Sequence, residues 1–185
     1  MFKNPAVKFV FIFLSLFAFF YFFNLLFFGI TSPEGSHYND FLARHLNYIH
    51  YLRSALLAST KQILTWLGYS AITNEYEILV AGKGILRLIY SCLGLGLISF
   101  FSAFVIAYPK KLKLKIFFLV AGILVIEILN VIRFVVLAIF WDKNEDTQIV
   151  DHHTLFNILM YVVIGISIYF WIKHDDKISI GHAKN

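Results

Sequence analysis

The most constraining feature of this sequence is a run of apolar residues near its start, from Phe9 to Ile30. The run is almost entirely Phe, Leu, Val and Ile, and its length is about enough for a helix to cross a bilayer. It follows the basic residues Lys3 and Lys8. A signal peptide would have a shorter apolar region, and no clear cleavage site of small residues ends this one. The sequence therefore predicts an uncleaved first span, over 9–30, that begins in the cytoplasm.

The composition agrees with a membrane protein. Of the 185 residues, 59% are hydrophobic and 18% are aromatic, which is outside the range of soluble domains. The net charge is +5, but the basic residues lie at the ends of apolar runs, so they indicate topology and no nucleic-acid partner is expected. The single cysteine excludes an internal disulfide and a thiolate metal cage. His45 and His50 lack the i,i+4 spacing of a helical metal pair, so no metal or other cofactor is expected.

Three further apolar segments bring the prediction to about four transmembrane helices within one membrane domain. The second span, over 92–108, is rich in small residues that let helices approach closely in lipid. It ends at the lysine-rich segment 109–115, which the positive-inside rule places in the cytoplasm. The third span covers 116–141 and runs outward. The fourth covers 152–172 and runs inward.

Two elements are predicted outside the membrane. Residues 41–67 read as an amphipathic helix, because a spanning helix would have to bury Arg44 and Arg53 in lipid. Residues 76–90 contain two β-prone runs around a glycine-rich turn, which predicts a short β-hairpin. The predicted fold class is therefore an all-α integral membrane protein with an extracytoplasmic amphipathic helix and a hairpin.

Polar residues from three predicted spans fall at the same membrane face. Cys92 opens the second span, Arg133 lies about two turns below the outer end of the third, and His152 and His153 open the fourth. An arginine in an apolar helix costs a few kcal/mol, so it requires a partner or a task. The simplest alternatives are a packing cysteine, a snorkelling or ion-paired arginine, and interfacial histidines.

Two other polar residues accompany Arg133 in the third span. Asn130 precedes it by three positions and therefore shares roughly the same helix face. Glu127 precedes it by six positions, about 120° around the helix and about 9 Å along it. That spacing is poor for an ion pair within one helix, although either side chain could pair across helices.

The three residue types together can support acyl transfer. A thiol is mostly protonated at neutral pH, and a guanidinium or a helix N-terminus stabilises the thiolate. Arginine can also hold a tetrahedral oxyanion, and histidine exchanges protons in the neutral range. Two non-enzymatic alternatives remain: a scaffold subunit of a larger membrane complex, and a transporter-like element with a polar path. The lack of an internal repeat argues against the transporter.

These residues resemble the exosortase/archaeosortase family of integral-membrane cysteine transpeptidases. The resemblance rests on Cys92-Leu93-Gly94, on Asn130-Val131-Ile132-Arg133 and on Asp151-His152-His153, and it covers roughly residues 75–170. The shortness of the chain is similar to the small exosortase F branch of Bacteroidetes. The chain departs from the family pattern in having Leu93 where serine is usual, a doubled histidine, and Asn157 where glycine often follows the histidine.

The resemblance implies a cysteine protease or transpeptidase of the bacterial inner membrane, with its site facing the periplasm. Its substrates would be secreted proteins that end in a short motif, a hydrophobic helix and a basic tail, and membrane lipid would surround it. Cys92 would form a thioester and pass the protein to an acceptor, Arg133 would support the thiolate or oxyanion, and His153 would shuttle the proton. The supporting residues would be His152, Asn130, Asn157 and Glu127.

Overall fold

The computed structural model describes residues 4–33, 38–140 and 152–182, and within the last range it describes the side chains of 156–173. The chain divides into two compact units, Met1–Glu145 and Asp146–Asn185, and each is described by itself. That all of 1–185 forms one domain stays a prediction.

The first unit alternates long helices with a small sheet. In chain order its elements are α1 (Pro5–Thr31), α2 (Asp40–His45), α3 (Tyr48–Trp66), β1 (Ala71–Thr73), β2 (Glu77–Val80), β3 (Gly84–Arg87), a 3₁₀ turn (Tyr90–Leu93), α4 (Leu95–Ala107) and α5 (Leu112–Phe140). The second unit contains α6 (His152–His182).

Long apolar helices confirm the predicted class of all-α membrane protein. Among the described residues, α1, α5 and the segment Phe156–Lys173 of α6 are long and apolar enough to cross a membrane. α4 is equally apolar but has 13 residues. At about 1.5 Å per residue it covers roughly 20 Å of the roughly 30 Å hydrocarbon core. The predicted second span is therefore a short helix.

The predicted amphipathic segment 41–67 is two helices in the structure. The chain breaks at Leu46 and Asn47, and the Asn47 side chain accepts a hydrogen bond from the His50 backbone N–H at 3.0 Å. This N-cap satisfies a free amide at the start of α3 and so favours a new helix there. α3 is amphipathic as predicted, since Leu64 is fully buried whereas Lys61 and Gln62 are exposed.

The predicted hairpin over 76–90 is present as β2 and β3, and a third strand extends it. The sheet is antiparallel with the order β1-β2-β3. Gly82, with φ of 76°, lies in the turn between β2 and β3. The three-residue strand β1 is too short to show a repeating pattern of apolar residues, which is why the sequence did not reveal it.

One apolar core joins α3, the sheet, the 3₁₀ turn and the second half of α5. Its most deeply buried members include Leu64 from α3, Ile78 from β2, Leu93 from the 3₁₀ turn and Phe134 from α5. Because Leu93 is fully buried here, the turn that carries its neighbour Cys92 is fixed against α5. The core therefore sets the position of the only cysteine.

A polar cluster connects α1 to the elements around it. Asn24 of α1 donates a hydrogen bond from Nδ2 to Ser99 Oγ of α4 at 3.0 Å, and it accepts one at Oδ1 from the Tyr48 hydroxyl of α3. The Tyr48 ring also lies 4.6 Å from the ring of Phe27. Polar side chains that pair between helices in this way hold α1, α3 and α4 in register.

Candidate functional site

Cys92 lies in the 3₁₀ turn that connects the sheet to α4. The turn ends at Gly94, whose φ of 71° is in the left-handed region that glycine adopts without strain. α4 then begins at Leu95. The sequence predicted that Cys92 opens the helix, whereas the structure places it three residues before the helix because the chain turns at Gly94.

Arg133 reaches Cys92 from α5. Its Nη2 atom lies 4.0 Å from the Cys92 sulfur, and both side chains are buried, with exposed fractions of 3% and 7%. The structure therefore brings together two of the three residues that the sequence suggested for acyl transfer. The cation and the sulfur face each other where little water reaches them, and a short-range charge interaction is strongest under these conditions.

Asn130 lies about one helical turn before Arg133 on α5, and it packs against the 3₁₀ turn at Gly94. It is 1% exposed, and a Cβ atom added to Gly94 would lie 2.5 Å from its Nδ2 atom, closer than real Cβ contacts allow. The two motifs that the sequence analysis singled out thus meet in pairs, Cys92 with Arg133 and Gly94 with Asn130. The sequence did not predict the contact between Gly94 and Asn130, because spacing along the chain gives no distances between helices.

Glu127 is the next polar residue toward the start of α5. It is half-buried, and its Oε2 atom accepts a hydrogen bond from Asn130 Nδ2 at 3.5 Å. Glu127 therefore contacts the site through Asn130 rather than through the sulfur. The supporting role of Glu127 stays a prediction.

The predicted histidines and Asn157 belong to the second unit. His152 and His153 are the first residues of α6, and their side chains lie outside the described residues. Asn157 lies about one turn further along the same helix. The participation of these three residues in the site stays a prediction.

A comparison with protein families shows the family of this chain. The family described as transmembrane exosortase matches residues 6–170, which is most of the chain and includes both motifs. The chain belongs to the transmembrane exosortase family. No curated protein and no solved structure matches this exosortase-family chain. The match includes residues 6–74, which lie before the segment 75–170 that carries the resemblance.

The described ranges of this exosortase-family protein contain no group of three or more His, Cys, Asp or Glu side chains that could hold a metal ion.

A cleft of about 280 Å³ adjoins the segment that leads into Cys92, and the sequence did not reveal it. Its walls come from the end of α1, the start of α3 and the chain after β3. Arg53 is the most buried charge in it, with an exposed fraction of 5%, and its Cζ atom lies 4.6 Å from the centre of the Tyr76 ring. Burial lowers the pKa of Arg53 below its ordinary value. In the sequence, Arg53 indicates only that residues 41–67 do not span the membrane, because its neighbours in the cleft come from distant segments.

Proposed function

We propose that this exosortase-family protein is a cysteine transpeptidase that removes C-terminal sorting signals from secreted proteins. The observation that carries the proposal is the distance of 4.0 Å between Arg133 Nη2 and Cys92 Sγ in a buried site. A buried arginine is expensive unless it has a charged partner or a developing charge to stabilise. A thiolate at Cys92 supplies such a charge.

The first half of the reaction forms a thioester. The thiolate attacks the carbonyl carbon of the scissile peptide bond, a carbon–sulfur bond forms, and the carbonyl oxygen becomes an oxyanion. The oxyanion collapses, the carbon–nitrogen bond breaks, and the leaving amine takes a proton from a general acid. We assign the role of general acid to His153, with His152 as the alternative, because histidine exchanges protons near neutral pH.

The second half returns the enzyme to its starting state. An acceptor amine attacks the thioester carbon and loses a proton to the same histidine. The new carbon–nitrogen bond forms as the carbon–sulfur bond breaks, and the thiolate is released beside Arg133. Water can take the place of the amine, in which case the product is a free carboxylate.

The remaining polar residues of the predicted site have positioning tasks in this scheme. Asn130 contacts Gly94 and Glu127, so it fixes the turn that carries the sulfur against α5. Asn157 lies on α6 after His153 and is proposed to support that histidine. The exposed apolar side chains along α1 and α5, such as Phe22 and Ile128, offer surfaces for lipid and for the hydrophobic helix of a substrate.

The orientation follows from the lysines of the chain. Lys110 and Lys111 lie between α4 and α5, and Lys113 and Lys115 lie in the first turn of α5, so all four are at the opposite end of α4 from Cys92. The positive-inside rule places this end in the cytoplasm, so Cys92 faces the periplasm of the inner membrane. The assignment to the exosortase F branch stays part of this proposal and rests on the resemblance alone.

The test is removal of a C-terminal tail in cells. A tagged reporter would be fused to the tail of a secreted protein from the same genome that ends in a short motif, an apolar helix and basic residues. Cys92→Ala should leave the protein inserted and abolish removal of the tail. Ser91→Ala, an exposed neighbour in the same turn, is the matched control and should retain removal. Continued removal by Cys92→Ala would overturn the proposal.

A further inference from the structure

The cleft described above lies at the membrane boundary. The residues Phe28, Thr31, Ser32 and Pro33 form one wall, and they are the last turn of α1 and the residues that follow it. α1 is long enough to cross the hydrocarbon core with a few residues to spare, so its end reaches headgroup depth. Tyr90 also lines the cleft, and its ring lies 4.5 Å from that of Phe28. Aromatic residues of this kind are enriched at the interface between lipid and water.

The charge of the cleft is positive. Arg53 and Arg87 both line it, together with His50 and Asn47, and no acidic residue is among its described lining residues. Arg87 is exposed and lies 3.8 Å from Glu77, so its charge is partly balanced. No described carboxylate forms an ion pair with Arg53, although the nearby Glu75 attracts its charge.

Arg53 also has unused hydrogen-bonding capacity. Arg53 is only 5% exposed, and its Nε atom has no hydrogen-bond partner among the described residues. Tyr76 stabilises the cation through its ring face and through a side-chain hydrogen bond, but neither interaction satisfies Nε. A buried charged donor without a partner is destabilising, and a bound anion would remove that cost.

We propose that this cleft binds the phosphate diester of a membrane phospholipid, with Arg53 as the principal contact. A guanidinium matches a phosphate in charge and in the geometry of paired N–H donors. A phospholipid also fits the surroundings, because the phosphate would lie at headgroup depth while its acyl chains follow the apolar side chains exposed on α1, such as Phe23 and Leu26. The inference goes beyond the proposed peptidase and does not depend on it.

The experiment is lipid binding by the purified, delipidated protein, measured by native mass spectrometry. The probes are dioleoylphosphatidylglycerol, dioleoylglycerol, which has the same chains without phosphate, and a short glutamate-containing peptide. The unsubstituted protein should bind the phosphatidylglycerol at least tenfold more tightly than the dioleoylglycerol. Equal binding of the two lipids, or binding of the peptide in preference to both, overturns the proposal.

Three arginine variants locate the site. Arg53→Gln should weaken binding of phosphatidylglycerol roughly tenfold, and Arg53→Lys should restore part of it because the charge returns without the paired donors. Arg44→Gln is the matched control, since Arg44 is exposed and paired with Asp40 at 2.8 Å on α2, and it should bind as the unsubstituted protein does. If Arg53→Gln does not fold, Arg87→Gln at the exposed side of the cleft should still weaken binding severalfold. Unchanged binding by Arg87→Gln in that case, or by a folded Arg53→Gln, overturns the proposal.

Discussion

Asn130 lies so close to Gly94 that no other residue type fits between the 3₁₀ turn and α5. The Nδ2 atom of Asn130 occupies the space a Cβ atom at Gly94 would need, and the backbone of Gly94 is left-handed. One helical turn further along α5, Arg133 reaches Cys92. Cys92 and Gly94 are two residues apart in the turn, and Asn130 and Arg133 are three apart in α5. These spacings let the two short motifs form one interface.

Replacing Gly94 by alanine should destabilise this interface. The substitution adds backbone strain of about 1–3 kcal/mol and a clash with Asn130, so we expect a lower midpoint of thermal unfolding in detergent. Gly29→Ala is the control, because nothing lies within 4 Å of a Cβ added there and its φ is not in the left-handed region. The double variant Gly94→Ala with Asn130→Ala should recover only the part of the loss that comes from the clash. Equal unfolding midpoints for Gly94→Ala and Gly29→Ala would contradict the contact.

Arg133 should control the reactivity of the sulfur. Because the chain has one cysteine, the mass added to the whole protein by N-ethylmaleimide reports on Cys92 alone. Arg133→Gln removes the cation that stabilises the thiolate, so the alkylation rate near pH 7 should fall severalfold or more. Arg44→Gln, an exposed arginine on α2, should leave the rate unchanged. A faster rate in Arg133→Gln would mean that Arg133 shields the sulfur instead of activating it.

Tyr48 should make the protein sensitive to alkali. Burial, followed by the nearby Tyr90, raises the pKa of Tyr48 from 10 to about 12. A group whose pKa is higher in the folded state contributes stability below its unfolded pKa and loses it as pH rises toward the folded value. Thermal stability should therefore decline between about pH 10 and pH 12. Tyr48→Phe should be less stable at neutral pH, because the bond to Asn24 is lost, and should show a shallower alkaline decline. An unchanged alkaline slope in Tyr48→Phe would assign the decline to other groups.

Gly122 should be required for the packing of α4 on α5. A Cβ atom there would overlap the ring of Phe101, which is 1% exposed. Gly122→Ala should lower the unfolding midpoint, although alanine is the better helix former by about 1 kcal/mol. Phe101→Leu in the same chain should restore part of the loss, because the smaller side chain leaves room. If Gly122→Ala is as stable as Gly29→Ala, the ring has moved and the close contact is not needed.

The sequence predicted the long helices well because lipid imposes one simple pattern on them. The apolar runs that became α1 and α5 were visible, and so was the period of α3. Short-range geometry was harder to predict. The break at Asn47 depends on one capping bond, β1 has only three residues, and the left-handed Gly94 moves the start of the helix past Cys92.

The candidate site was predictable only in part. Cys92, Asn130 and Arg133 stood out because polar residues are rare in apolar segments, and the structure places them together. The cleft around Arg53 was not visible, since its walls come from α1, α3 and the chain after β3. Periodic patterns in the sequence predict single helices and strands, and they do not predict contacts between such distant segments.

The burial of Cys92 has a consequence for the competition between water and amines. Tyr90 packs against Phe28 and Gly96 lies near Tyr21, so Cys92 lies alongside the last three turns of α1. Cys92 is 7% exposed, so little water reaches its sulfur. If the proposed thioester forms there, its hydrolysis should be slower than its capture by an amine that enters between the helices.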